Sequence, residues 1–206
     1  MGVEGGPVSR AIAARRSVRR FARRPVARAT VRQLVALACT APAPHHSRPW
    51  RFAHVASEEA RGRLAESMAE AWRADLERAG ESVHRITKLL RESESQIDSA
   101  PALLIACLSL TEAQEWPDEV RRAAERDMFV QSLGAALQNL LLAAEDCGMA
   151  GYLKGAPLFC QEAVRTALDM PADWEPAFLV LLGYPEDGFV PDRRSEIELE
   201  GHLLER

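Results

Sequence analysis

A helix that is apolar on every side has no place on the outside of a folded chain, and this sequence contains one. From Asp118 the pattern is helical as far as Gly148, and residues 133–144 are apolar almost all the way round. Such a helix is buried on most of its surface, so it either threads the middle of a domain or lies in an interface between subunits. Residues 101–110 and 177–184 form two further apolar runs, too short for buried helices and of the right length for buried strands. Residues 50–55 and 149–153 are shorter strand candidates. The chain has 206 residues, 47% of them apolar, enough to close one sizeable core around these segments.

The remaining pattern is mostly helical. Residues 8–16 fit a short helix. Thr30 and Gln33 have the spacing of a capping box, opening a helix with Leu34, Leu37 and Ala38 on its apolar side. Pro42 and Pro44 stop it. Ser57 is placed to cap a helix whose stripe runs Leu64, Met68, Trp72, Leu76, and Gly80 ends that helix. A polar, charged segment that reads as helical and partly mobile continues to Ser99, and residues 160–168 read as a helix. The tail, residues 185–206, carries little core of its own and must pack on something. The whole reads as a single domain, 1–206.

Several classes are argued against. No apolar run is long enough to span a bilayer, and the N-terminus lacks the apolar stretch of a signal peptide, so a cytoplasmic chain without membrane contact is expected. Cys39, Cys107, Cys147 and Cys160 show no CxxC spacing. Three of them sit in apolar helix or strand patterns and read as buried free thiols in a reducing compartment, with no zinc or other metal site expected. The net charge is -4, yet nine arginines fall between Arg10 and Arg32 with no acid among them. Such a stretch is a solvated basic face or a seat for an anionic ligand. Nucleic acid is disfavoured by a pI near 5.8 and by the lack of aromatic residues between the arginines, Phe21 apart.

Three clusters could carry chemistry. The first is Arg15-Arg16-Ser17-Val18-Arg19-Arg20-Phe21, where guanidinium groups and a hydroxyl at a helix end can hold a phosphate. Taken alone, an arginine run is usually surface. The second is Ala41-Pro42-Ala43-Pro44-His45-His46-Ser47-Arg48-Pro49-Trp50, a proline-restrained loop rich in donors just before a strand. The bland reading of its histidine pair is turn chemistry. The third is Gly148-Met149-Ala150-Gly151-Tyr152-Leu153-Lys154-Gly155. Its glycines either cap a helix and make a turn or let backbone N–H groups approach a flat ligand. It follows a helix, so it is no dinucleotide-binding fingerprint.

In this order the three clusters resemble the nitroreductase family. Its opening Arg-Arg-Ser-x-Arg-x-Phe motif is matched from Arg15 to Phe21. Its Pro-Ser-x-x-Asn-x-Gln-Pro-Trp loop is matched in part from Pro42 to Trp50, and its glycine-rich strand after a long helix from Gly148 to Gly155. The resemblance implies an α+β fold, a central mostly antiparallel sheet wrapped by helices, in an intertwined homodimer with FMN between the subunits. It implies that Arg15, Arg16 and Ser17 hold the phosphate and ribityl chain, with Arg19 beside them and Arg193 or Arg194 reaching in from the tail. Pro42, Ala43 and Pro44 would come from the second subunit, and backbone groups at Gly151 and Tyr152 would meet the reactive edge of the ring.

Where the family loop carries Asn and Gln, this chain has His46 and Arg48. That variant is similar to the flavin domain of enzymes that build the deazaflavin coenzyme F-420, as are residues 138–143 and 171–176. With Lys154, the two loop residues imply a cationic pocket for an anionic substrate. The resemblance therefore implies an FMN-dependent oxidoreductase passing hydride to an organic acceptor, the F-420 precursor being one that fits. A general NAD(P)H-driven nitroreductase or quinone reductase, a flavin or deazaflavin carrier without turnover, and an interaction module using the basic N-terminus are the alternatives. No side chain in the clusters is marked out as a catalytic acid or base.

Overall fold

In a computed structural model, which describes residues 5–192, 195 and 197–206, the long helix organises everything else. This helix, α5 (Glu119–Asp146), starts where Asp118 accepts the Arg121 N–H at 2.9 Å, a side-chain N-cap that satisfies one orphan donor of the first turn. Phe129, Leu133, Ala136, Leu137, Leu140 and Ala144 are buried within the protomer. Gly134 and Gln138 are exposed, so the helix retains one uncovered side.

Against it lies a four-stranded antiparallel sheet. Its strands are β1 (Trp50–His54), β2 (Ala102–Leu108), β3 (Ala150–Lys154) and β4 (Glu175–Gly183), in the order β1-β2-β4-β3. Every residue of β2 is buried because both of its faces are covered. Leu104, Ala106 and Leu108 face α5 and α2 (Arg28–Ala38). Leu103, Ile105 and Cys107 face the opposite layer, made by α3 (Glu58–Arg78), α4 (Val83–Ser99) and α6 (Gln161–Ala167). A three-layer arrangement with helices on both faces follows from the unbroken apolar run, since an alternating strand would bury one face only. The first helix, α1 (Pro7–Ala14), ends two residues short of its sequence expectation.

Two local expectations need correction. Helix α2 starts at Arg28, with Ala27 as N-cap and no side-chain cap bond, so Thr30 and Gln33 lie inside the helix and form no capping box. The polar segment before Ser99 is helical as expected, capped by Ser82, which accepts the Arg85 N–H. The cysteines are not uniformly buried: Cys39 and Cys147 are exposed at helix ends and Cys160 is half-buried. Only Cys107 meets the expectation; burial in the sheet pushes its thiol up to about 12. All four are free thiols.

Glycine is required at Gly151 for packing. A Cβ there would meet Leu141 Cδ2 at 2.4 Å and Leu182 Cδ2 at 2.9 Å, so the bare backbone lets β3 sit down on α5. Gly148, at φ +67°, closes α5 in the left-handed conformation that ends many helices. Among the described residues, no helix is long and apolar enough to cross a membrane.

Candidate functional site

Two of the three clusters meet along the outer edge of β3. The chain leaves α1 at Arg15 and runs extended beside that strand. Ser17 bridges to Gly151, and Val18 N–H donates to the Gly151 carbonyl at 3.3 Å. Further on, Phe21 bridges to Pro185, and Ala22 N–H donates to the Tyr184 carbonyl at 2.8 Å. Val18 and Phe21 are the buried pegs of this segment, which leaves the polar residues between them pointing outward. The Arg19 guanidinium stands 4.5 Å from the Tyr152 ring centroid, a cation–π contact that ties the first cluster to the third.

Arg16 has a second task. Its Nη1 donates to the carbonyls of Ala13, Ala14 and Arg15 at 2.7, 2.9 and 3.0 Å, satisfying orphan acceptors at the end of α1. Its Nε donates to the Asp192 carbonyl at 3.2 Å and so tethers the tail. Arg16, Ser17, Arg19 and Arg20 wall a cleft of about 480 Å³ whose other wall is tail, with Glu186, Asp187 and Asp192. Glu186 and Asp187 also border a wider trough of about 960 Å³ that passes over Phe21 and Arg23 to Arg91 and Glu94 on α4. Arg193 and Arg194, the tail residues expected at the phosphate, lie outside the described residues.

Lys154 sits two residues beyond Tyr152 on the same face of β3, turned toward α4. Its Nζ donates to Ser93 Oγ at 2.7 Å and Gln96 Oε1 at 3.3 Å. It lines a pocket of about 440 Å³ that shares Glu94 with the trough.

The second cluster lies elsewhere. Pro44–His46 form a single 3-10 turn, in which His45 and His46 take left-handed backbone conformations at φ 55° and 58°. Two consecutive non-glycine residues in that region are strained and need outside support. Ser47 gives part of it, donating through both N–H and Oγ to the Pro44 carbonyl. Glu112 gives more: its Oε2 accepts the Arg48 N–H at 3.0 Å. Arg51, 4.0 Å from Glu112, donates to the carbonyls of Arg48 and Trp50. Glu112 is held in turn by its own segment. Buried Glu125 of α5 accepts the Gln114 N–H at 3.2 Å and the Trp116 indole N–H at 3.1 Å. His46 and the Arg48 side chain are left exposed, while Pro44 and Ala43 are half-buried.

The register of the sheet fixes how far this loop lies from the first two clusters. Trp50, which ends the loop, pairs through Leu108 to Glu175, whereas Gly151 pairs with Leu182 at the other end of β4. Glu175 and Leu182 are about 23 Å apart at roughly 3.3 Å per residue, and β1 and β3 lie about 14 Å apart across the sheet. The loop and Gly151 are therefore diagonal corners, separated by about 25 Å or more.

Glu112, Arg51 and Glu125 escaped the sequence reading. Nothing marks a glutamate in residues 111–117 as the partner of a backbone N–H 64 positions earlier. Among the described residues no three His, Cys, Asp or Glu side chains gather to hold a metal.

Comparison with known proteins agrees with this architecture. The model of the Nitroreductase family matches residues 12–184. A 5,6-dimethylbenzimidazole synthase from Rhodospirillum rubrum is 29% identical over 175 residues, covering 84% of this chain and 79% of its own. A BluB-like flavoprotein from Clostridium difficile 630 superposes with a TM-score of 0.76 over all of both chains at 18% identity. The FMN-dependent nitroreductase NfnB from Mycobacterium smegmatis, solved with NADPH, gives 0.72 over 97% of this chain and 98% of its own at 21% identity.

Proposed function

The chain belongs to the nitroreductase family of FMN-dependent oxidoreductases, and from that premise we propose that each of its sites forms between two copies of the chain. The observation that carries this is the diagonal separation. The arginine motif and the glycine strand lie at one corner of the sheet and the proline–histidine loop at the other, too far apart for one mononucleotide of one protomer. A homodimer in which the loop of one subunit faces the cleft of its partner brings all three clusters to one ligand.

Two surfaces support the dimer. One is the uncovered side of α5, with Val130, Gly134 and Gln138 in a row at helical spacing. The other is the free edge of β1, beside a groove of about 570 Å³ lined by Phe52, Val35, His54, Arg28 and Arg32. The tail run Ile197-Glu198-Leu199-Glu200 alternates exposed apolar residues with acids. That alternation and charge suit strand addition to a basic, apolar edge.

The cleft suits FMN in its donor set: Ser17 is exposed, and Arg16, Arg19 and Arg20 offer charge-assisted bonds to a phosphate. The acids of the tail oppose an anion there, so the proposal requires Arg193 and Arg194 to outweigh them. FMN, when bound, supplies two-electron hydride chemistry. The chain's residues bind and orient it: Arg15, Arg16 and Ser17 at the phosphate, Gly151 and Tyr152 along the ring edge, Pro42, Ala43 and Pro44 of the second subunit across it. NAD(P)H is the proposed donor. The proposed acceptor is an organic anion, a precursor of the deazaflavin coenzyme F-420, because Arg48 presents positive charge, with the His46 imidazole beside it, where the family loop has neutral amides.

The test starts with the purified protein, expected to be a dimer in sedimentation and to carry one FMN per chain that NAD(P)H reduces. Arg48→Gln should weaken the anionic acceptor more than it weakens a neutral nitroaromatic, with the difference shrinking at high salt. Equal effects on both acceptors would favour a general nitroreductase. FMN binding without turnover would make the protein a carrier, and a colourless protein that takes up no FMN would end the proposal.

A further inference from the structure

We propose that the pocket between α3, α4 and β3 binds a compact aromatic carboxylate, with Lys154 as its charge partner. If hydride transfer occurs as proposed above, a ligand held here would be a second, smaller acceptor beside the larger anion named there. Only that last step rests on the flavin reading; the binding does not.

The walls are apolar, with Met68, Trp72, Leu90 and Phe159 among them, and the volume of about 440 Å³ is that of a small-molecule site. One cation stands in it. An ammonium has three N–H donors, and Lys154 spends two on the neutral partners Ser93 and Gln96. Among the described residues no carboxylate pairs with it. Asp75, on the pocket wall, pairs with Arg78, and Glu94 lies exposed at the mouth. The Trp72 ring, 5.8 Å from Nζ, compensates the charge only in part. Burial pushes the Lys154 pKa down, the sign of a cation that lacks a counter-ion. A carboxylate accepting the third N–H would supply that counter-ion, and a flat apolar body behind it would lie against Trp72 and Met68. The mouth at Glu94 opens on the trough beside Arg91, so such a ligand would sit next to the site assembled along β3.

The probes are 4-nitrobenzoate and 4-nitrobenzamide, which share a ring and differ in charge. Their dissociation constants are measured by equilibrium dialysis against the protein as purified. The carboxylate is expected to bind roughly tenfold or more tighter than the amide, as a charge-assisted hydrogen bond requires. Lys154→Met should remove that preference while leaving flavin content unchanged by absorbance, and Lys154→Gln serves the same purpose if Met is not tolerated. Trp72→Leu should weaken both ligands and keep the preference. Equal binding of the two probes to the parent overturns the proposal. So does a preference that survives Lys154→Met, or loss of flavin in that variant, which would make the pocket part of the flavin site. A protein that holds no flavin yet shows the Lys154-dependent preference keeps the pocket and removes only its role as acceptor seat.

Discussion

Replacing Arg15 and Arg16 together by alanine should weaken FMN by on the order of 10²–10⁴-fold, from two charge-assisted contacts worth roughly 1.5–3 kcal/mol each. Riboflavin, which lacks the phosphate, should change only a few-fold. The second ligand is needed because of what else Arg16 does. Its Nη1 holds three carbonyls at the end of α1 and its Nε holds the Asp192 carbonyl, so the variant also loosens the helix end and the tail. Loosening alone would weaken both ligands alike. Titration of the variant with FMN and with riboflavin separates the two causes. Equal losses would show that the arginines shape the cleft without touching a phosphate.

The second large effect is expected far from that cleft. Glu125→Leu leaves two part-buried donors, the Gln114 N–H and the Trp116 indole N–H, without their acceptor. A hydrogen bond to a charged group contributes about 1.5–3 kcal/mol and water can replace part of each one here, so the loss is roughly 1–3 kcal/mol, a sizeable share of the stability of a domain this size. Glu125→Gln, which keeps an acceptor oxygen, should lose less. The consequence reaches the candidate site because residues 111–117 carry Glu112, the acceptor of the Arg48 N–H. Releasing that segment should free the strained loop at His45 and His46 and weaken FMN as well. Glu112→Ala isolates the second effect: a half-exposed pair with Arg51 contributes little to stability, yet the loop loses the acceptor of the Arg48 N–H. Urea unfolding and FMN titration on the three variants check this. A loss below about 1 kcal/mol in Glu125→Leu would mean that the segment is held by other contacts.

How much of this was legible in the sequence depended on the range over which each feature is determined. The long helix, β2 and β4 announce themselves because an apolar run must be buried wherever the chain goes. The Ser57 cap and the start of the long helix at Asp118 were legible too. Thr30 and Gln33 had the spacing of a cap and failed, because α2 begins at Arg28, three residues before the start the box implies, where no side chain caps it. Cys39 and Cys147 sit in apolar surroundings along the chain but fall at helix ends, where the last turn opens to solvent. Gly151 was legible as a close approach, though the neighbour is Leu141. The clamp on the loop was not legible at all, since both links, Glu112 to Arg48 and Glu125 to Trp116, join residues that only the fold brings together.

The central claim is that one site is built by two subunits, and a mixed dimer tests it most directly. One subunit carries Arg15→Ala and Arg16→Ala; its partner, bearing a different tag, has residues 43–48 replaced by glycine and serine. If the loop of one subunit completes the cleft of the other, both lesions fall in the same site and the second site is intact. The purified heterodimer should then bind one FMN with the affinity of the parent, while each homodimeric variant binds none at that affinity. If each site is built within a single subunit, both sites of the heterodimer are damaged. It then binds no FMN at the parent affinity, and the shared-site account is wrong.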